Sequence, residues 1–106
     1  MEEKSVIQGT KTSFFLSVVR GVTNGKKIAV VTDVHEATDV FTHKTFECWV
    51  SKYLMESYSD AKFSDPEVWK LSNETEAKKQ KEEIIELCKK EGREVMESGI
   101  LERTSC

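Results

Sequence analysis

Thr12–Thr32 reads TSFFLSVVRGVTNGKKIAVVT, two apolar runs rich in β-branched and aromatic residues either side of Thr23-Asn24-Gly25-Lys26. Asn-Gly between two such runs is a strong hairpin signal, because a type I′ turn needs positive φ at both central residues. Taken as a strand, Thr10–Val22 puts Phe14, Leu16 and Val18 on one face and Phe15, Ser17 and Val19 on the other. Taken as a helix, it gives a stripe of Phe15, Val18, Val19 and Val22. The turn and the β-branched content favour the strand. The second run, Lys27–Val34, has apolar residues on both faces and reads as a strand covered on both sides.

Upstream, Val6-Ile7-Gln8-Gly9 reads as a short edge strand. Downstream, Phe46, Trp49, Val50, Tyr53, Leu54 and Tyr58 recur at helical steps and predict a helix over 44–58, with one face wide enough to cover the hairpin. Ser59–Ser64 reads as a loop. Pro66 suits either the first position of a short helical turn or a break before a short strand at Val68–Leu71. Asn73 followed by Glu76 resembles a capping box and opens a last helix, expected to run to Ser98 with Gly99 as its terminal glycine. Gly92 lies inside that range and is an alternative, earlier stop. The helix carries a stripe of Ala77, Ile84, Cys88 and Val95, widened by Ile85, Leu87 and Met96.

Length and composition set the frame. At 106 residues the chain is expected to form a single small α+β domain over 1–106. The expected architecture is an antiparallel hairpin-based sheet of two to four strands, packed by a central helix and a long C-terminal helix. Net charge is −3, which does not favour nucleic acid or an anionic membrane. The charge is uneven: residues 1–52 carry a net +1 and residues 53–106 a net −4. Cys48, Cys88 and Cys106 form no CxxC pair, and no signal peptide, prenylation box or long apolar segment is visible. A reduced, cytoplasmic protein without a structural disulfide or cofactor is the expectation.

Few residues suggest chemistry. Gly9-Thr10-Lys11-Thr12 precedes an apolar run, but it lacks the glycines that let a phosphate-binding loop wrap its ligand. Asp33, His35, Glu36, Asp39, His43 and Cys48 are crowded in sequence without the spacing of a metal site, so a polar loop and helix start is preferred. No catalytic pair acquires a third member. Lys11, Arg20, Lys26 and Lys27 cluster along the hairpin, where a basic ribbon could follow phosphates. Lysines protecting an edge strand explain them more simply.

Hairpin, helix, short strand and helix follow in that order, with Val19-Arg20-Gly21, Glu47-Cys48, Ala61-Lys62-Phe63 and Glu76-Ala77 along the way. Over residues 14–77 this is similar to the small hybrid-binding module at the N-terminus of some ribonucleases H. That resemblance implies binding to RNA/DNA duplexes. The chain departs from the module in two longer loops, and it lacks the aromatic and lysine that follow Ala-x-Phe.

The function favoured by these residues is a small non-enzymatic binding or regulatory protein acting through protein–protein contacts, with an unidentified protein partner. A homodimer is expected through Ile84, Leu87, Cys88 and Val95, because the apolar arc is wider than a small sheet needs. The alternative is a nucleic-acid binder using Lys11, Arg20, Lys26 and Lys27. An enzyme is the least favoured reading, and no membrane partner is expected.

Overall fold

The computed structural model describes residues 13–37 and 43–98, with side chains from Phe14 to Asp33 in the first segment. The chain is α+β. Strand β1 (Ser13–Thr23) and strand β2 (Lys26–Ala37) are followed by helix α1 (His43–Ser57). Strands β3 (Lys62–Phe63) and β4 (Glu67–Leu71), helix α2 (Glu74–Lys90) and strand β5 (Glu94–Ser98) complete the order. The expected strand at residues 6–9 and the glycine-poor loop at 9–12 lie outside the described residues.

The hairpin forms as its turn chemistry dictates. Asn24 and Gly25 have φ of 52° and 76°, the two positive values of a type I′ turn. Val18 pairs with Val31 and Val19 with Val30, so the strand reading holds over 13–22 and the helix alternative falls there, residues 10–12 lying outside the described residues. On its other side β1 pairs antiparallel with both β3 and β4. Those two short strands act as one edge strand interrupted at Ser64–Pro66. The Ser64 N–H and Oγ both donate to the Arg20 carbonyl, and Pro66, with no N–H, blunts the edge beyond. The loop expected at 59–64 therefore contains a strand, and 67–71 is a strand rather than a helical turn.

Topology places the helices. β2, β4 and β5 all run antiparallel to β1, since β5 is parallel to β2. The chain crosses from β2 over β1 to β4 through α1, then back over β1 and β2 to β5 through α2. Crossovers between parallel strands keep one hand almost without exception, so two that run in opposite directions lie on opposite faces. The core follows suit. Phe15, Val19 and Val30 pack with Phe46, Trp49, Val50 and Leu54 of α1. Leu16, Val18, Ala29 and Val31 pack with Ile84 and Cys88 of α2. The Phe15 and Phe46 ring centroids are 5.5 Å apart.

The α2 helix starts as its sequence requires, with the Asn73 side chain accepting from the Glu76 N–H at 2.9 Å. It ends at Lys90, earlier than expected. Gly92 has φ of 79°, its N–H reaches the Lys89 carbonyl, and the Arg93 N–H reaches the Cys88 carbonyl. That is a Schellman motif, so Gly92 is the terminal glycine and Lys89 and Lys90 occupy the basic last turn. The helix end expected at Ser98 is corrected, and Glu94–Ser98 becomes the fifth strand of the sheet. Gly99 lies outside the described residues. Val95 packs with the α2-side cluster and Met96 with the α1-side cluster, the alternation of a strand and not one helical stripe.

Cys48 is disulfide-bonded, which overturns the expectation of a chain without a structural disulfide. Cys88 is free and buried. Among the described residues no helix is long and apolar enough to cross a membrane.

Two polar side chains interrupt the α1 side of the sheet. Ser17 and Thr32 are register partners, both 0% exposed, and neither hydroxyl has a hydrogen-bond partner among the described residues. A buried hydroxyl without a partner costs roughly 1–3 kcal/mol. The double substitution Ser17→Ala/Thr32→Val is expected to raise stability by about 1 kcal/mol in urea unfolding; a loss would mean that the hydroxyls are bonded in solution. By contrast, Gly25→Val is expected to cost about 1–3 kcal/mol in the same assay, since a β-branched residue resists positive φ.

Candidate binding surface

The hairpin end gathers most of the basic candidates, and the fold sorts them. Arg20 leaves β1 on the α2 side. Its Nη1 meets Glu67 of β4 at 2.7 Å, and its Nε meets Glu91, just beyond α2, at 3.2 Å. Glu91 also receives Nε of Arg93 at 2.9 Å, and Arg93 Nη1 donates to the carbonyls of Gly21 and Ile28 at 3.3 Å. Four charged side chains thus tie β1, β4 and the α2–β5 turn together. Burial works against the Arg20 charge, but Glu67 and Glu91 outweigh it and hold the group above its ordinary pKa. Lys26 is bound to Glu94 of β5 at 2.8 Å. Arg20 and Lys26 are therefore neutralised locally, Lys11 lies outside the described residues, and Lys27 alone of the four is exposed with no ion pair among the described residues.

The structure adds one cation that sequence reading missed. Lys62 of β3 stands opposite Val22 of β1, and Val22 stands opposite Lys27 of β2. Cross-strand partners share a face, so Lys62, Val22 and Lys27 form one row, with Val22 44% exposed at its centre. The row depends on Gly21. A Cβ there would lie 2.5 Å from the Phe63 ring and 2.7 Å from the Lys62 carbonyl. Glycine lets Phe63 lie across the strand and fixes β3 in register. The pair Gly21 and Phe63 was visible in the sequence only as separate short motifs.

The residues expected at a dimer contact are divided by the fold. Ile84 and Cys88 are buried against the sheet, Val95 is half-buried beside them, and Leu87 is 50% exposed on the outer side of α2. Leu87 lies on an exposed strip with Glu82, Glu83 and Glu86, flanked by Lys79 and Lys90. Burial pushes the Cys88 thiol up, with Arg20 and Arg93 only partly offsetting it, so this cysteine is a small core residue rather than a nucleophile.

The fold also separates Asp33 from His43, while the side chains of His35, Glu36 and Asp39 lie outside the described residues. Asp33 lies on the α2 side, where Lys81 reaches it at 3.5 Å and Glu97 at 3.1 Å. Burial opposes the Lys81 charge, yet Glu97 and Asp33 hold its pKa above the ordinary value. His43 belongs to α1 on the opposite face, 3.7 Å from Glu47. Among the described residues no three metal-type ligands come together. A cleft of about 240 Å³ beside Lys81 is walled by Phe14, Leu16, Asp33 and Ala77.

No family model, curated protein or solved structure matches the chain.

The charge network has a pH signature. Hydrogen bonding to Arg93, and then to Arg20, holds the Glu91 carboxyl below its ordinary pKa despite the opposing effect of desolvation. A carboxyl depressed in the folded state contributes stability above its unfolded pKa and loses it as pH falls through the folded value. Glu91→Gln is accordingly expected to flatten the fall in urea midpoint between about pH 5 and pH 3. An unchanged slope would remove Glu91 from the acid response.

Proposed function

We propose that this chain is a non-enzymatic binding module that acts through protein–protein contacts and associates with a second copy of itself. The observation that carries the reading is the pairing of the surface charges. Arg20, Lys26, Lys81 and Arg93 are each held by carboxylates of the same chain, while Val22 and Leu87 remain about half exposed. With those four cations paired inside the chain, the exposed apolar side chains suit a protein partner better than a phosphate backbone, which binds by releasing counterions from unpaired cations. In sedimentation at tens of micromolar, a dimer is expected, and Leu87→Glu is expected to shift it to monomer because the substitution puts a charge into a dry contact. A monomer at high micromolar concentration would refute the dimer.

The second reading is nucleic-acid binding at the hairpin. It is favoured by Lys27 and Lys62 in one row and by Phe63, half-buried on the adjoining position of β3. It also accords with the likeness to hybrid-binding modules at Gly21 and Ala61-Lys62-Phe63. The test is anisotropy of a labelled RNA/DNA hybrid at low salt. Salt-sensitive binding that Lys27→Ala/Lys62→Ala weakens would favour this reading over the first.

A further inference from the structure

The α2 side of the molecule has the profile of a step. The helix, about 10 Å across, lies along β1 and β2 and stops at Lys90. Beyond it the hairpin continues through Val22 and Lys27 to its turn, a ledge of roughly 7–10 Å at about 3.4 Å per residue that no helix covers among the described residues. The ledge carries Val22 between Lys27 and Lys62. The outer strip of the helix carries Leu87 with Glu83 and Glu86. The ledge is apolar with positive flanks, and the ridge sets Leu87 among Glu82, Glu83 and Glu86, with Lys79 and Lys90 at the ends of the strip. None of Lys27, Lys62, Glu83 and Glu86 has an ion pair within the chain among the described residues.

We infer that the ledge receives the α2 ridge of a second copy, with Leu87 of each copy on Val22 of the other and Glu83 and Glu86 facing Lys27 and Lys62. This rests on the dimer reading above and names its surface. A two-fold axis parallel to the sheet and above it on the α2 side, running across the strands at the edge of the step, turns one step upside down onto the other. Each ridge then meets the opposing ledge, and one kind of contact is made twice, as a closed isologous pair requires. The complementary charges fix the orientation, since a parallel stacking would put ridge on ridge and carboxylates on carboxylates.

Sedimentation of charge-swapped full-length chains tests the surface. Lys27→Glu/Lys62→Glu and Glu83→Lys/Glu86→Lys are each expected to weaken the dimer by at least about tenfold, and the quadruple variant is expected to recover most of that loss. Circular dichroism checks that each variant is folded. The wild-type dimer, which needs no substitution, is expected to weaken as salt rises from about 0.05 to 0.5 M, because exposed pairs are screened. A wild-type dimer insensitive to salt, or swaps without effect or without mutual rescue, would overturn this surface and leave the dimer standing. A wild-type monomer would overturn both.

Discussion

The hairpin strand β1 is the constraint that the rest of the structure answers. It is hydrogen-bonded on both sides, by β2 along one edge and by β3 and β4 along the other. It is also apolar on both faces, with Phe15 and Val19 toward α1 and Leu16 and Val18 toward α2. A strand of that kind is stable only when it is central and covered twice. The Asn24-Gly25 turn settles one edge locally. Everything after Ala37 supplies what is still missing: a helix for one face, strands for the open edge, then a helix for the other face and a strand beside β2.

This explains which parts of the fold were legible. The hairpin, α1 and the start of α2 are specified by signals within a few residues: a turn dipeptide, a helical stripe and an N-cap. β5 was not legible, because Val95 and Met96 are neighbours that extend the apolar stripe of the preceding helix. Only the Schellman geometry at Gly92 ends that helix, and a glycine inside a helical pattern is compatible with both readings. β3 is two residues long and has no periodicity at all. Its existence depends on the absence of a Cβ at Gly21, more than forty residues earlier, so the information is in the sequence but not in any window of it.

The surface was less legible for a related reason. A list of cations along a hairpin treats charge as a property of the chain segment, whereas the potential at a surface depends on what later elements bring alongside. Glu67, Glu91 and Glu94 arrive from β4, the α2–β5 turn and β5, and they pair Arg20 and Lys26 within the chain. Lys62 arrives from β3 and joins Lys27. The expected dimer stripe is divided in the same way. Ile84 and Cys88 are consumed in covering the second face of the hairpin.

The charge network and the exposed row are linked through one short segment. Arg20, Gly21 and Val22 are consecutive on β1, and each has a separate task. Arg20 holds β4 and the end of α2 through Glu67 and Glu91. Gly21 admits Phe63 and seats β3. Val22 stands exposed between the lysines that β2 and β3 contribute. Because side chains alternate, Arg20 and Val22 share the α2 side while Gly21 opens the other. The first two residues therefore fix the position of every element bordering the third. Loss of the Arg20 anchor would loosen the end of α2 and the edge strands together, and with them the alignment of Lys62 with Lys27. The exposed row is thus held in place by ion pairs whose carboxylates also keep the neighbouring cations from adding to its charge.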